Sequence, residues 1–159
     1  MAQDTANERK PASITLHELR AFRDFPSWLT PEQLAVFLHE SLKPFEDSPE
    51  DIRRGIGDAL SPQAGEPGFI LVSERDERPL GALVMLRTGM KGYIPENLLL
   101  WVAVDPSTRG EGIGSMLIRR SFELADGDVK LHVEYDNPAK RLYERLGMTS
   151  KYAEMRYTK

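Results

Sequence analysis

The sequence contains no cysteine. That absence removes disulfides, thiolate zinc sites and a cysteine nucleophile together. Long apolar runs are missing as well, and no stretch approaches the length needed to span a bilayer. Met1–Pro11 is polar and charged, without the apolar centre of a secretory leader. A strong charge of either sign is also lacking. The net charge is −4 over 159 residues, which gives no reason to expect nucleic acid or an anionic membrane surface as partner. Three histidines are present, and no spacing of His, Asp and Glu stands out as a metal site. A cytoplasmic globular protein without metal is the expectation. At 40% hydrophobic and 29% charged, the composition suits one core. Residues 1–12 read as a disordered tail and residues 13–159 as a single domain.

Local signals order the elements. Ser13–Leu19 reads as a first strand with poor alternation, followed by an aromatic connector, Ala21–Leu29, carrying Phe22, Phe25 and Trp28. Thr30, Pro31 and Gln33 then form the start of a helix: cap, first-turn proline and capping box. Leu34, Phe37, Leu38 and Leu42 give its apolar stripe. A second helix starts after Ser48, with Pro49 and Asp51, and buries Ile52, Ile56 and Leu60. Ser61–Gly68 is a loop. Phe69–Val72 and Leu80–Leu86 read as strands joined by the charged turn Glu74–Pro79. A second loop, Gly89–Asn97, precedes Leu98–Val104, an unbroken apolar run expected to be a central strand buried on both faces. A helix over Gly112–Ala125 is expected to bury Ile113, Met116, Leu117, Leu124 and Ala125. After a turn at Asp126–Asp128, Leu131–Tyr135 alternates, with Leu131, Val133 and Tyr135 opposite His132 and Glu134. The last helix is capped by Asp136 or Asn137, opened by Pro138 and ended by Gly147. Its stripe is Ala139, Leu142, Tyr143 and Leu146. Tyr152–Thr158 reads as a closing strand.

The densest signal is the passage from Val102 to Ser115: a strand end, a short turn, glycines at 110, 112 and 114, and a helix start. Such a loop turns backbone N–H groups into one concavity, and the free N–H groups of a helix N-terminus attract phosphate oxygens. A Walker loop requires a lysine followed by Ser or Thr after its last glycine, whereas Ser115 and Met116 stand there. A dinucleotide fingerprint requires G-x-G-x-x-G, and this loop reads G-x-G-x-G.

Arg109-x-x-Gly112-x-Gly114 directly after a strand resembles the GNAT superfamily of acyl-CoA-dependent N-acetyltransferases. The likeness continues in Leu131-x-Val133 and in Asn137-Pro138-Ala139-x-x-Leu142-Tyr143-Glu144-Arg145-Leu146-Gly147-Met148. It covers roughly Leu98–Met148, about a third of the chain, and the order of the preceding elements agrees. The resemblance implies an α/β fold. Its central sheet would be mixed, with antiparallel N-terminal strands, a parallel splayed pair around the cofactor, and helices on both faces.

It also implies a chemistry, in which acetyl-CoA donates an acetyl group to a primary amine by direct attack. The pyrophosphate would lie on the N–H groups of Gly110, Glu111, Gly112, Ile113, Gly114 and Ser115, where glycines let the backbone approach. The pantetheine arm would pair with backbone groups of Val102 and Val104, which could also polarise the thioester carbonyl. Asn137 would contact the arm. Arg109, Lys140 and Arg141 are phosphate candidates, or solvated helix surface. Tyr143 stands where the family has the acid that reprotonates the leaving thiolate. An amine of pKa about 10.4 is neutral in only about one molecule in 10³ at pH 7, so a base is needed. His132 is one candidate and Glu96 another, with Glu134 beside His132 and Glu154 weaker. Some relatives carry a carboxylate at the start of the central strand, where this chain has Leu98. Phe22, Phe25 and Trp28 could line the acceptor pocket or be satellite core. The acceptor, a small-molecule or peptide amine, is left open. So are a non-catalytic acyl-CoA-binding or sensor module and a transferase using a longer acyl-CoA. Many relatives have two strands after the last helix where this chain has room for one, and a homodimer completing the sheet is expected on that ground.

Overall fold

Nine regular elements and a pair of short 3₁₀ turns follow one another in the computed structural model, which describes residues 13–159. The tail expected over residues 1–12 lies outside the described residues. The strands are β1 (Thr15–Leu19), β2 (Phe69–Arg75), β3 (Arg78–Arg87), β4 (Asn97–Val104) and β5 (Val129–Leu131). The helices are α1 (Pro31–Leu42), α2 (Pro49–Leu60), α3 (Ile113–Leu124) and α4 (Ala139–Arg145). The strands form one sheet in the order β1-β2-β3-β4-β5, antiparallel except for the parallel β4–β5 pair. This is the mixed α/β arrangement expected.

Local chemistry accounts for the element ends. Thr30 Oγ1 accepts from the Gln33 N–H at 3.1 Å while Gln33 Oε1 accepts from the Thr30 N–H at 2.8 Å, a reciprocal cap on α1. Ser48 Oγ caps α2 by accepting from the Asp51 N–H at 3.1 Å. Between β2 and β3 the expected turn tightens to Asp76 and Glu77, both at positive φ (53° and 57°), the backbone of a two-residue primed turn. The ladder therefore runs out to Arg75–Arg78, longer than the apolar runs suggested. Pro79 is accommodated because the register shifts beside it, so that Leu80 is an extra residue in β3.

The sheet carries helices on both faces. Leu34, Leu38, Ile52 and Ile56 of α1 and α2 pack on Ile70, Val72, Val84 and Trp101. On the other face Ile113, Leu117 and Ile118 of α3 and Tyr143 of α4 pack on Phe69, Leu71, Leu83 and Leu99. Phe25 and Trp28 of the connector join the first cluster, and Phe22 stacks on Phe25 at 6.1 Å. The buried side of α3 is Ile113, Leu117, Ile118 and Ser121, with Met116 and Leu124 packed at its margin and Ala125 already past its end. Ser121 is satisfied there because its Oγ–H donates to the Ile118 carbonyl at 2.7 Å.

Three expectations are corrected. β4 is not buried on both faces throughout: Leu98, Leu100, Val102 and Val104 stay half-buried. Beyond Leu99 β5 no longer pairs with it, which leaves Leu100, Val102 and Val104 beside an open edge. The strand expected at Leu131–Tyr135 lies earlier, at Val129–Leu131, and Tyr135 is 83% exposed. The closing strand at Tyr152–Thr158 is not formed. A strand requires a partner ladder, and β5 offers only three residues of edge. Tyr152, Met155 and Tyr157 are exposed instead. Among the described residues no helix is long and apolar enough to cross a membrane.

α3 reaches the sheet because Gly81 has no side chain. A Cβ there would lie 2.8 Å from Ile113 Cγ2, 2.9 Å from Leu117 Cδ1 and 3.1 Å from the Ala103 carbonyl oxygen. Gly81→Val is expected to cost about 1–3 kcal/mol by overpacking, read as a lower urea midpoint. A wild-type midpoint would contradict this close approach.

Candidate active site

β4 and β5 begin side by side and then separate. Their three paired positions are Asn97–Val129, Leu98–Lys130 and Leu99–Leu131. Polar groups lock the closed end. The Asn97 N–H donates to the Asp128 carbonyl at 3.0 Å, and its Nδ2 donates to the carbonyls of Asp126 and Asp128 at 2.9 and 3.1 Å. Arg87 Nη1 donates to Asn97 Oδ1 at 3.2 Å and to the Asp126 carbonyl at 2.8 Å. Glu96 Oε2 accepts from the Asp128 N–H at 2.8 Å. Gly127 sits at φ 97°, where a Cβ would collide with the Glu96 carboxylate.

At the open end a bulge intervenes. Trp101 pairs with Val84 and Leu99 with Met85, so Leu100 is an extra residue in β4. The Asp105 N–H donates to the Leu80 carbonyl at 2.8 Å. Antiparallel alternation then turns the backbone of Ala103 and Trp101 towards β3, and that of Val102 and Val104 towards the gap. The two valines read from the sequence thus supply the backbone groups of the open edge.

The glycine loop follows directly. Asp105 Oδ1 accepts from the Ser107 N–H at 2.8 Å and from the Ser107 hydroxyl at 2.7 Å. These bonds, the hydroxyl first, hold the Asp105 carboxyl below its usual range despite some burial, and Arg109 adds to the effect. Gly110 and Gly112 lie at φ 88° and 79°. No side chain caps α3 at Gly112, and the first backbone bond closing the helix runs from the Met116 N–H to the Gly112 carbonyl at 3.0 Å. The N–H groups of Ile113, Gly114 and Ser115 therefore have no acceptor within the helix. A Cβ on Gly114 would lie 3.6 Å from Val104 Cγ2 and 3.4 Å from Leu142 Cδ2. The α3 start, the β4 end and α4 thus converge at one place. The donor set and the glycine backbone fit a diphosphate group.

The family model described as Acetyltransferase (GNAT) domain matches residues 66–148. The chain belongs to the GNAT acetyltransferase family. A mycothiol acetyltransferase from Thermomonospora curvata is 30% identical over 155 residues. That match covers 92% of this chain and 48% of the relative, so the chain spans about half the length of the curated relative it matches. Among solved structures, an aminoglycoside N-acetyltransferase in complex with CoA superposes with a TM-score of 0.68 at 13% identity, covering 94% of this chain and 97% of that one. A GCN5-related N-acetyltransferase from Ralstonia eutropha gives 0.65 at 17% identity, covering 92% and 99%. These two show a shared fold.

The GNAT candidates are not all brought together. Tyr143 is buried on α4 one residue from Leu142, and burial pushes its phenol up to about 12. His132 is exposed and follows the last paired residue of β5, at the mouth of the gap, with Glu134 also exposed beyond it. Asn137 Oδ1 is engaged, accepting from the Ala139 N–H at 2.9 Å at the start of α4. Lys140 pairs with Glu144 at 3.6 Å, and Glu111 with Arg75 at 3.4 Å. Arg109 Nη2 donates to the Ser41 carbonyl at 2.9 Å, tying the glycine loop to the end of α1. Arg141 is exposed on α4, and Glu154 pairs with Arg156 at 2.9 Å. Glu96 stands apart, about 20 Å along the strand from Val102.

Reading the sequence missed Asp47. Its Oδ2 accepts from the Trp101 indole N–H at 2.7 Å. A tryptophan in a central strand signals that some acceptor must lie near, yet nothing local points 54 residues back.

Backbone N–H groups, its own and that of Asp128 foremost, hold Glu96 below the usual carboxylate range. Such a group stabilises the fold above its unfolded pKa, roughly 4.3, and the contribution is lost as pH falls through the folded value. Glu96→Gln should be less stable than the parent near neutral pH, with the gap between urea midpoints closing below about pH 4. A gap that does not change with pH would mean the charge is not what holds the turn.

Proposed function

We propose that the protein transfers an acetyl group from acetyl-CoA to a primary amine, and that the amine attacks directly. The observation that carries this reading is the open backbone edge of Val102 and Val104 running into the uncapped start of α3. The donor supplies an activated acetyl thioester, and every other requirement falls to the chain.

The N–H groups from Gly110 to Ser115 bind the diphosphate, with the positive end of α3 behind them. Arg109 keeps further guanidinium donors beyond the one held by Ser41, and Lys140 adds charge from α4. Val102 and Val104 hold the arm as an added strand would, and an N–H at this edge polarises the thioester carbonyl. Asn137 Nδ2 remains to donate to the arm. Tyr143 holds the proton for the leaving sulfur. Burial keeps its phenol protonated across the physiological range, so its first contribution is a hydrogen bond to the developing thiolate. His132 takes the base role, because the Glu96 carboxylate is committed to the closed end of the fork.

Thiol release from acetyl-CoA across an amine library, with mass detection of product, tests the whole reading. Binding without turnover of any amine would favour an acyl-CoA-binding module, and faster release from propionyl- or succinyl-CoA a longer-acyl enzyme. Tyr143→Phe keeps the buried ring and removes only the hydroxyl. It should lower kcat by about 10²-fold and leave acetyl-CoA affinity unchanged; full activity would remove the acid role. Gly112→Val forces a branched side chain to positive φ in the cradle. Acetyl-CoA affinity should fall by about tenfold or more with the circular dichroism spectrum retained. Unchanged affinity would refute the assignment of this loop.

A further inference from the structure

The segment joining α1 to α2 lies along the open length of β4 and is fastened at both ends. Arg109 Nη2 holds the Ser41 carbonyl at 2.9 Å, and the Trp101 indole N–H holds Asp47 Oδ2 at 2.7 Å. Trp101 and Arg109 bracket Val102–Thr108, the open end of the strand and the turn after it. Residues 41–47 therefore wall the gap on the α1/α2 side. The wall is stiff. His39 Nδ1 lies 3.1 Å from the Asp47 carbonyl, and Ser48 caps the next helix.

Asp47 differs from most of the carboxylates around it, and from Glu46 beside it, equally without an ion pair among the described residues, in being oriented by the Trp101 indole. Glu40 pairs with Lys43 at 3.1 Å, Glu50 and Asp51 with Arg54 at 3.1 Å each, and Glu32 with Arg53 at 2.8 Å. Asp47 makes no ion pair among the described residues. Its side-chain partner is a neutral indole donor, so its charge is uncompensated, and Oδ1 remains available on an exposed residue. Trp101 has little freedom to turn away. Its ring lies against Gly55 of α2, where even a Cβ would collide with it.

We propose that Asp47 anchors a second, non-reacting cationic group of the acceptor, so that the substrate is a di- or polycationic amine. The proposal rests on the acetyl-transfer reading above. A carboxylate contact favours the protonated form of an amine, whereas the attacking nitrogen must be neutral. Asp47 therefore suits a nitrogen that stays charged while another reacts. The wall holds it beside the edge where the thioester carbonyl is placed in that reading.

The test uses the full chain, ¹⁵N-labelled, with 1,5-diaminopentane and the diaminocyclitol 2-deoxystreptamine as probes and 1-aminopentane and cyclohexylamine as their single-charge counterparts. The protein has two tryptophans, so Trp28 serves as internal reference. At least one diamine should shift the Trp101 indole N–H resonance, leave that of Trp28 in place, and bind about tenfold or more tightly than its monoamine. Which diamine does so separates an aliphatic acceptor from an amino-sugar one. Asp47→Asn retains an acceptor for the indole and should abolish the difference. In turnover it should raise KM for the diamine about tenfold, with kcat and the monoamine rates unchanged. A Trp101 signal that neither diamine moves would overturn the proposal. So would equal losses for diamine and monoamine, or a fall in kcat at constant KM. Turnover without diamine preference refutes this inference alone. Failure to bind acetyl-CoA refutes the acetyl-transfer reading, and the Trp101 titration still judges Asp47.

Discussion

Two parallel strands that pair for three residues and then part set the terms for the rest of the molecule. Parting leaves backbone N–H and C=O groups of β4 without a sheet partner, which is costly wherever water or a ligand cannot reach them. The fork therefore needs a fastening at its closed end. Asn97, Arg87 and Glu96 provide it, all directed at the turn 126–128. Each bonds to the backbone of that turn, and Arg87 also donates to the Asn97 side chain, so the fastening is braced within itself. Gly127 belongs to the same fastening, since any side chain there would displace the Glu96 carboxylate.

The bulge at Leu100 does a second job beside the fork. In an unbroken strand Trp101 would share a face with Leu99. Leu99 packs with α3 and Trp101 with α2, because one extra residue reverses the alternation. The same residue decides where the indole N–H points, and so where Asp47 is held. The open edge of β4 and the segment held by the indole are therefore set by one irregularity in one strand. In the proposed chemistry that link has a clear value: a shift in β4 moves the polarising backbone and the acceptor anchor together, and their relative geometry survives small motions.

Much of this was legible from local signals. The caps at Thr30 and Ser48 and the αL glycines at 110, 112 and 147 are where the residue types demand them, because each is decided by a few neighbours in sequence. The apolar stripe of α2 agrees with the burial, and that of α1 does so at Leu34 and Leu38, while Phe37 and Leu42 are only partly buried. Other features are decided by distant partners. The run Leu98–Val104 is uniformly apolar, and nothing in it marks Leu100 as the bulge or Leu99 as the last paired residue. Tyr152–Thr158 carries strand-like residues, but a strand exists only when another edge accepts it. Glu96 is a candidate base from its place before the central strand. Its carboxylate accepts from a turn that comes some thirty residues later, a contact no pattern in the sequence announces.

The two halves of the proposed site also differ in how they are encoded. The donor side is built from backbone: N–H groups at the α3 start and an unpaired strand edge. Backbone geometry can be written with glycines and apolar residues, which is why this side stands out in the sequence as a motif. The proposed acceptor anchor is a side chain on a connection between two helices, held by Trp101 and Arg109 from elsewhere in the chain. A carboxylate on such a connection can be moved by one residue or replaced without disturbing the fork. In the proposed chemistry, selectivity for the amine can thus change while phosphate binding and thioester polarisation stay fixed. On that proposal the division also explains why the first half of the chain says little about a substrate until the fold sets Asp47 beside β4.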